Sequence, residues 1–186
     1  MNENLYKALV DALGEGKIQT GDMIGSDYCH DELPGGASYT PDAVIEAAST
    51  EDISAVLKLC NEYDTPVTVR GAGTGQVGGS VAVKGGVVLS VKGMDKVVSY
   101  DEEAKTLTVQ PGMLLQAVKA EAESHGMYYP PDPGELTATI GGNVAPTRPA
   151  PAPSSTAPPA TTSSMRSSFS LTAPSPTSRA ATTTQW

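Results

Sequence analysis

The composition of the chain changes abruptly after residue 145, and this break limits how much of the chain can fold. Residues 1–145 contain all 19 glycines and all 21 acidic residues, whereas residues 146–186 contain neither type. The later segment is mostly Pro, Ser, Thr and Ala, which offer too little apolar surface to offset the entropy lost on ordering. We therefore expect a folded part of about 145 residues, enough for one ordinary domain, and a disordered tail over residues 146–186.

The two parts also differ in the sign of their charge. Residues 1–145 carry a net charge of −12, while residues 146–186 have three arginines and no acid. A strongly acidic folded part disfavours binding that depends on neutralising phosphates, so we expect no nucleic-acid partner.

Cysteine content and apolar runs point to a soluble, cytoplasmic protein. Only Cys29 and Cys60 are present, which is too few for a disulfide framework or a zinc site, and we expect no metal. No apolar run reaches the ~20 residues of a membrane-spanning helix. The residues after Met1 lack the basic and apolar regions of a secretion signal.

Hydrophobic periodicity predicts a short N-terminal helix and then a strand, a helix and a second strand. Apolar residues recur at helical spacing at Leu5, Ala8, Leu9, Ala12 and Leu13. Residues 44–47 and 66–69 have the character of strands. Between them, Ser49 and Asp52 resemble a capping box that opens a helix burying Ile53, Val56, Leu57 and Cys60. Such a βαβ unit predicts two paired parallel strands with a right-handed crossover.

After residue 80 the pattern changes to short β-branched runs. Residues 87–90, 96–100 and 106–110 predict an antiparallel meander, and a further helix follows that Gly126 ends. Together the two patterns indicate an α+β domain, with a small βαβ lobe and a mainly antiparallel sheet lobe.

A glycine-rich loop lies between these two lobes. Five of the ten residues 70–79 are glycine, and such a backbone can turn its N–H groups towards an anion such as a pyrophosphate. Gly73, Gly75 and Gly78 match G-x-G-x-x-G, but the nicotinamide-binding form of that motif opens a helix, whereas residues 80–86 have β-like character. A nicotinamide site and a plain surface turn are the alternatives.

A second loop has similar features. Residues 129–134 read Tyr-Pro-Pro-Asp-Pro-Gly, in which the prolines stiffen the backbone, and Gly141 and Gly142 again expose amides. Two such loops suit an extended ligand that carries a diphosphate. Spacing in the sequence leaves open whether the loops face each other.

Four motifs in order carry a resemblance to a known family. They are Pro-Val-Thr-Val-Arg-Gly-Ala-Gly-Thr-Gly at 66–75, Gly-Gly-Val-Val-Leu-Ser at 85–90, the proline loop at 129–134, and Ala-Thr-Ile-Gly-Gly-Asn-Val-Ala at 138–145. The chain resembles FAD-linked oxidases with a PCMH-type FAD-binding domain, of the glycolate oxidase D-subunit and D-lactate dehydrogenase branch. The resemblance divides the chain into an N-terminal helix and lead-in (1–31), an incomplete FAD-binding domain (32–145) and the tail.

The resemblance implies which residues hold the cofactor. The first loop would cradle the FAD pyrophosphate, and the second would lie along the flavin and its phosphoribityl tail. These residues are Arg70, Gly71, Ala72, Gly73, Thr74, Gly75, Gln76, Pro131, Asp132, Pro133, Thr139, Ile140, Gly141, Gly142 and Asn143. Some relatives attach the flavin to a histidine where this chain has Thr74, so we expect noncovalent FAD and regard His30 and His125 as surface groups. Arg70 either pairs with phosphate or anchors the structure.

The same resemblance implies a flavin-dependent oxidoreductase that oxidises a small 2-hydroxy acid, such as glycolate or D-lactate, with an electron-acceptor protein as a further partner. It assigns no catalytic residue in this chain, and Asp132 fits a turn-capping role better than that of a base. Relatives continue well beyond residue 145, so the chain alone is expected to be inactive. The alternative is a truncated, non-catalytic fragment that binds flavin weakly or not at all.

The tail begins inside the string of family motifs. Residues 153–163 can be encoded by codons that also contain a second reading frame, which starts two bases later. Translation of that frame gives Val-Lys-Tyr-Gly-Thr-Thr-Arg-Asp-Tyr-Val, the sequence that the resemblance implies for this place in the family. We therefore interpret residues 146–186 as translated out of frame. The alternative is a genuine Pro/Ser/Thr/Ala linker.

Overall fold

The computed structural model describes residues 1–129 and 134–145. Its helices and strands, in chain order, are α1 (Glu3–Leu13), β1 (Ile18–Thr20), β2 (Ala43–Glu46), α2 (Thr50–Glu62), β3 (Val67–Arg70), β4 (Val87–Ser90), β5 (Val97–Asp101), β6 (Thr106–Val109), α3 (Leu115–Ser124) and α4 (Ile140–Val144). The tail predicted to be disordered lies outside the described residues, and so do Pro131, Asp132 and Pro133.

The predicted N-terminal helix is confirmed. It begins after Asn2, whose side chain accepts a hydrogen bond from the Asn4 N–H at 2.8 Å, and it ends at Gly14, which has a φ of +87°. Its buried leucines lie in the same core as the residues of the following sheet. Residues 1–31, which the sequence separates from the next domain, therefore share a core with it.

A four-stranded mixed sheet has the order β1-β2-β4-β3. Strands β2 and β3 each pair in parallel with β4, and β1 pairs antiparallel with β2. The predicted direct pairing of the first two strands of the βαβ unit is therefore wrong, because β4 lies between them. The assignment of residues 87–90 to an antiparallel meander is also wrong. All four residues of β4 are buried, as expected for a central parallel strand.

The segment before β4 does not have the predicted β-like form. Residues 80–86 are turns, and Gly85 and Gly86 have positive φ angles of +67° and +77°. A Cβ on Gly86 would lie 2.2 Å from the carbonyl oxygen of Pro66. The close contact with Pro66, just before β3, therefore requires glycine at position 86. The left-handed backbone of Gly85 and Gly86 is incompatible with a strand.

The two faces of the mixed sheet are covered by different parts of the chain. On one face, side chains such as Ile45 and Leu89 pack with the leucines of α1 and the buried side of α2. On the other face, Val44 and Val88 pack with Tyr28 of the lead-in segment and with Ala82. The lead-in therefore forms one layer of the domain.

The second lobe is smaller than the predicted meander. Strands β5 and β6 form a two-stranded antiparallel hairpin, in which the Asp101 side chain accepts a hydrogen bond from the Ala104 N–H at 2.9 Å. Helix α3 follows, and its buried face packs with Met113, Tyr129 and Ile140. Among the described helices, none has the length and apolar character needed to cross a membrane.

Candidate cofactor-binding site

The glycine-rich loop begins at the carboxyl end of β3, the end of parallel strands beside which ligands bind in open α/β sheets. The carbonyl of Arg70 still accepts a sheet-like hydrogen bond from the Val91 N–H at 3.0 Å. Beyond this point the backbone leaves the sheet, and residues 71–77 are half-buried or exposed. The loop is therefore anchored at its base and accessible along its length.

The N–H groups of this loop have no hydrogen-bond acceptor among residues 1–129 and 134–145. Within the part of the chain that the structure describes, none of the backbone N–H groups of residues 71–77 donates a hydrogen bond to a backbone or side-chain acceptor. A run of accessible donors of this kind attracts an anion without needing a positively charged side chain. This part of the site therefore suits a diphosphate.

Arg70 supports the loop from within the protein. Its side chain is 3% exposed, and its Nη2 donates a hydrogen bond to the Asp27 carbonyl oxygen at 2.6 Å. Its Nη1 lies 3.2 Å from the Ser80 carbonyl oxygen, and the guanidinium carbon lies 5.6 Å from the centre of the Tyr28 ring. These contacts favour the structural anchor over the phosphate-pairing alternative for this side chain.

Two glycines of the loop lie directly against other side chains. A Cβ on Gly73 would lie 2.0 Å from Arg70 Nη2, and Gly73 also has a φ of +83°. A Cβ on Gly71 would lie 2.1 Å from Thr139 Oγ1. Only glycine allows the backbone to approach these atoms so closely, so the course of the loop depends on both positions.

The contact between Gly71 and Thr139 brings the two loops together, which the sequence could not establish. Thr139 is buried, and its Oγ1 accepts a hydrogen bond from the Gly142 N–H at 3.2 Å, which caps the short helix α4. Backbone hydrogen bonds from Ile140 to Met113 and from Gly141 to Pro111, both 2.9 Å, fix this segment against the second lobe.

The other residues of the second loop have mixed surroundings. Ile140 lies in the core under α3, whereas Gly141 is half-buried and Gly142 exposed. The Asn143 Nδ2 is buried without a hydrogen-bond partner among the described residues. Burial raises the pKa of the nearby Tyr129.

The remaining predicted residues of the first loop are partly or fully exposed. Ala72 and Thr74 are half-buried, and Gly75 and Gln76 are exposed. The segments 70–76 and 139–143 are thus brought together in space, because Gly71 lies against Thr139.

One part of this site, the lead-in segment, could not be predicted from the sequence. The Glu32 N–H donates a hydrogen bond to the Gly75 carbonyl oxygen at 2.9 Å. The carboxylate of Asp31 also lies beside Gly75, since a Cβ there would be 3.8 Å from Asp31 Oδ2. No periodic pattern marks these residues. The one local signal is the Asx turn in which the Leu33 N–H donates to Asp31 Oδ1 at 3.1 Å.

Neither histidine is a residue of the glycine-rich loop. His30 is exposed, as expected, but the expectation for His125 is wrong in part, because its ring is half-buried and stacks on Tyr100 at 3.8 Å between ring centres. Its Nε2 also lies 3.2 Å from Glu121 Oε1. Among the described residues, no group of three or more His, Cys, Asp or Glu side chains is arranged to hold a metal ion.

A glycine-rich loop at the carboxyl end of a parallel strand, with a second loop beside it, suits a dinucleotide-binding domain. Residues 41–149 match the family model described as an FAD binding domain, which is more than half of the chain. The chain therefore belongs to the FAD-linked oxidase family with a PCMH-type FAD-binding domain, and the cofactor of this family is FAD.

Relatives of known name agree with this assignment. The chain is 47% identical over 129 residues to a D-lactate dehydrogenase of Anaerostipes hadrus, covering 69% of this chain and 27% of the relative. It is 42% identical over 118 residues to the glycolate oxidase subunit GlcD of Bacillus subtilis, covering 63% and 25%. The chain thus spans about a quarter of the length of these relatives.

Solved structures support the fold. An alkyldihydroxyacetonephosphate synthase superposes with a TM-score of 0.69 at 18% identity, covering 76% of this chain and 31% of that one. The 4-ethylphenol oxidase from Gulosibacter chungangensis gives 0.66 at 23% identity, covering 76% and 28%. At these identities the similarity establishes the fold alone.

Proposed function

We propose that this chain holds FAD noncovalently, with the diphosphate on the backbone N–H groups of residues 71–76. Residues 131–133 and 139–143 would lie along the flavin and its phosphoribityl tail. The observation that carries the proposal is the run of N–H groups that have no partner in the described part of the chain, and a diphosphate would accept hydrogen bonds from them. The closeness of Gly71 to Thr139 supports a single ligand spanning both loops.

The side chains at the loop support noncovalent attachment. Position 74 is Thr, and neither His30 nor His125 belongs to the loop. Asp132 and the two prolines beside it stay predictions as cofactor-binding residues, because they lie outside the described residues.

For the whole protein we propose the oxidation of a small 2-hydroxy acid of the glycolate or D-lactate class. The names of its relatives support this class, since they are a D-lactate dehydrogenase and a glycolate oxidase subunit. FAD, when bound, supplies the redox chemistry. The role of this chain is to bind and orient the cofactor. We assign no catalytic residue within this chain.

We further propose an electron-acceptor protein as partner and a cytoplasmic location. The two free thiols, Cys29 and the buried Cys60, fit a reducing compartment.

The second candidate is a truncated fragment that binds flavin weakly and has no activity. This candidate is favoured because the chain spans only about a quarter of the length of these two relatives. Strand β3 also lies at an edge of the sheet and exposes 56% of Val69, which favours association with other chains.

A titration of the purified 186-residue chain with FAD tests the proposal, with quenching of flavin fluorescence as the signal. The proposal predicts saturable binding at one site per chain, and the absence of saturable binding contradicts it in favour of the second candidate. Glycolate or D-lactate is then added to the FAD-loaded chain without oxygen. If the absorption of the flavin does not change, the chain binds the cofactor but does not oxidise the added acid. If the absorption is lost because the flavin is reduced, the chain also supports oxidation of the acid.

A further inference from the structure

The lead-in segment is fastened to the glycine-rich loop on both sides of Asp31. Before it, the carbonyl of Asp27 accepts a hydrogen bond from the buried Arg70 at 2.6 Å. After it, the Glu32 N–H donates to the Gly75 carbonyl oxygen at 2.9 Å. These two contacts fix the backbone around Asp31 relative to the loop.

The two carboxylate oxygens of Asp31 have different surroundings. Oδ1 accepts a hydrogen bond from the Leu33 N–H at 3.1 Å. Oδ2 is buried and has no partner among the described residues, although it lies beside Gly75. A buried carboxylate oxygen without a donor is unfavourable, so this arrangement requires an explanation.

A dinucleotide carries hydroxyl donors of the kind that this oxygen lacks. On both sides of the diphosphate, FAD carries sugar-like carbons with hydroxyl groups. A carboxylate next to a diphosphate-binding loop is well suited to accept a hydrogen bond from such a hydroxyl, as acidic residues do for the ribose in other dinucleotide sites. A phosphate oxygen, which is itself an acceptor, would instead be repelled.

Building on the proposed function, we propose that Asp31 is a further cofactor-binding residue, whose Oδ2 accepts a hydrogen bond from a ribityl or ribose hydroxyl beside the diphosphate. The site then combines amide donors for the anion with a carboxylate acceptor for the neighbouring alcohol. It also includes the lead-in segment, which the family match, starting at residue 41, does not cover.

The test compares the FAD affinity of the chain with that of Asp31→Asn. This variant keeps an oxygen for the Leu33 N–H but replaces the charged acceptor at Oδ2 by a donor. We expect its Kd for FAD to rise about tenfold or more, which corresponds to about 1.4 kcal/mol. The matched control is Asp11→Asn, which removes the same charge from an exposed side chain of helix α1 and is expected to change the Kd by less than about twofold.

Thermal unfolding without FAD provides a second measurement. Because Oδ2 is buried with no donor among the residues that the structure describes, Asp31→Asn is expected to keep or raise the Tm of the free chain while it weakens FAD binding. Asp31→Glu keeps the charge but displaces the carboxylate by one methylene, and is also expected to weaken binding. Weaker binding at an undiminished Tm separates a cofactor contact from a structural role.

Several results would overturn the assignment. Unchanged FAD affinity in both Asp31 variants would show that Oδ2 faces no ligand donor, and tighter binding by Asp31→Asn would show that the carboxylate repels the diphosphate. A lower Tm with a parallel loss of binding in both variants would assign Asp31 a structural role. If the unsubstituted chain takes up no FAD, the proposed function fails as well, whereas binding that is equal in all variants removes Asp31 alone.

Discussion

Gly73 lies over the side chain of Arg70, three residues earlier, and leaves no room for a Cβ. The guanidinium beneath it is held by acceptors on two other segments, at Asp27 and Ser80. Since the backbone is fixed against this buried group, the loop conformation follows from packing as well as from the freedom of glycine.

Substituting Gly73 by Ala should therefore weaken FAD binding. The new Cβ would lie 2.0 Å from Arg70 Nη2, at a φ of +83° that alanine rarely adopts. We expect the Kd for FAD to rise at least about tenfold and the free energy of unfolding to fall by about 1–3 kcal/mol. A fluorescence titration and a denaturant unfolding curve measure the two effects.

The matched control is Gly126→Ala. Gly126 also has a positive φ, of +68°, but nothing lies within 4 Å of its Cβ position. It follows α3, outside both loops, so this variant should lose about 1 kcal/mol of stability and keep its FAD affinity. Equal weakening of FAD binding in the two variants would refute the role of the Gly73 contact.

The glycines of the first loop and their anion-binding character could be predicted from the sequence, because they form a local pattern. The contact of Gly71 with Thr139 could not, since those residues are far apart in the chain and meet only through the packing of the second lobe. The side-chain partners of Arg70 could not be predicted for the same reason.

At the scale of elements, an ion pair joins the start of β1 to helix α2. Lys17 Nζ lies 2.9 and 2.8 Å from the two carboxylate oxygens of Asp52, and Oδ2 also accepts a hydrogen bond from the Ala48 N–H at 2.9 Å. Burial by itself would raise the pKa of Asp52. The hydrogen bonds from Lys17 and from the backbone, together with the charge of Lys17, outweigh burial and hold this pKa below its ordinary value.

Acid should therefore weaken the fold partly through Asp52. Because its pKa is lower in the folded state, its contribution is present above the ordinary aspartate pKa of about 4 and is lost as the pH falls through the folded value. We expect Asp52→Asn to lower the free energy of unfolding by about 1–2 kcal/mol at pH 7, with a smaller difference in acid. Urea unfolding of both proteins as a function of pH measures this.

Glu51→Gln is the control, because Glu51 is the preceding residue of α2 and is exposed. It should change stability by less than about 0.5 kcal/mol. A stability difference for Asp52→Asn that stays constant down to the lowest pH would contradict the account.

The existence of most elements could be predicted from the sequence, but the order of the strands could not. The four residues of β4 contain no local sequence signal that identifies the neighbouring strands. The position of β4 between β2 and β3 depends on its burial on both faces of the sheet. The turn form of residues 80–86 depends on the approach of Gly86 to Pro66, which is likewise a tertiary contact.

For the whole molecule, the acidic N-terminal part carries the fold and the candidate site. The resemblance seen in the sequence agrees with the family match over residues 41–149. The division of the chain at residues 31 and 145 stays a prediction, as does the out-of-frame origin of residues 146–186. Sequencing of the encoding DNA tests that origin.

We propose that the backbone N–H groups of the glycine-rich loop bind the diphosphate of FAD. Amide nitrogen–proton NMR spectra of the isotope-labelled chain, recorded during a titration with FAD, test it most directly, because each N–H group gives its own signal. The account predicts saturable shifts concentrated in residues 71–77 and around Thr139, with one common Kd. Saturable FAD binding that leaves the signals of residues 71–77 unmoved would contradict it.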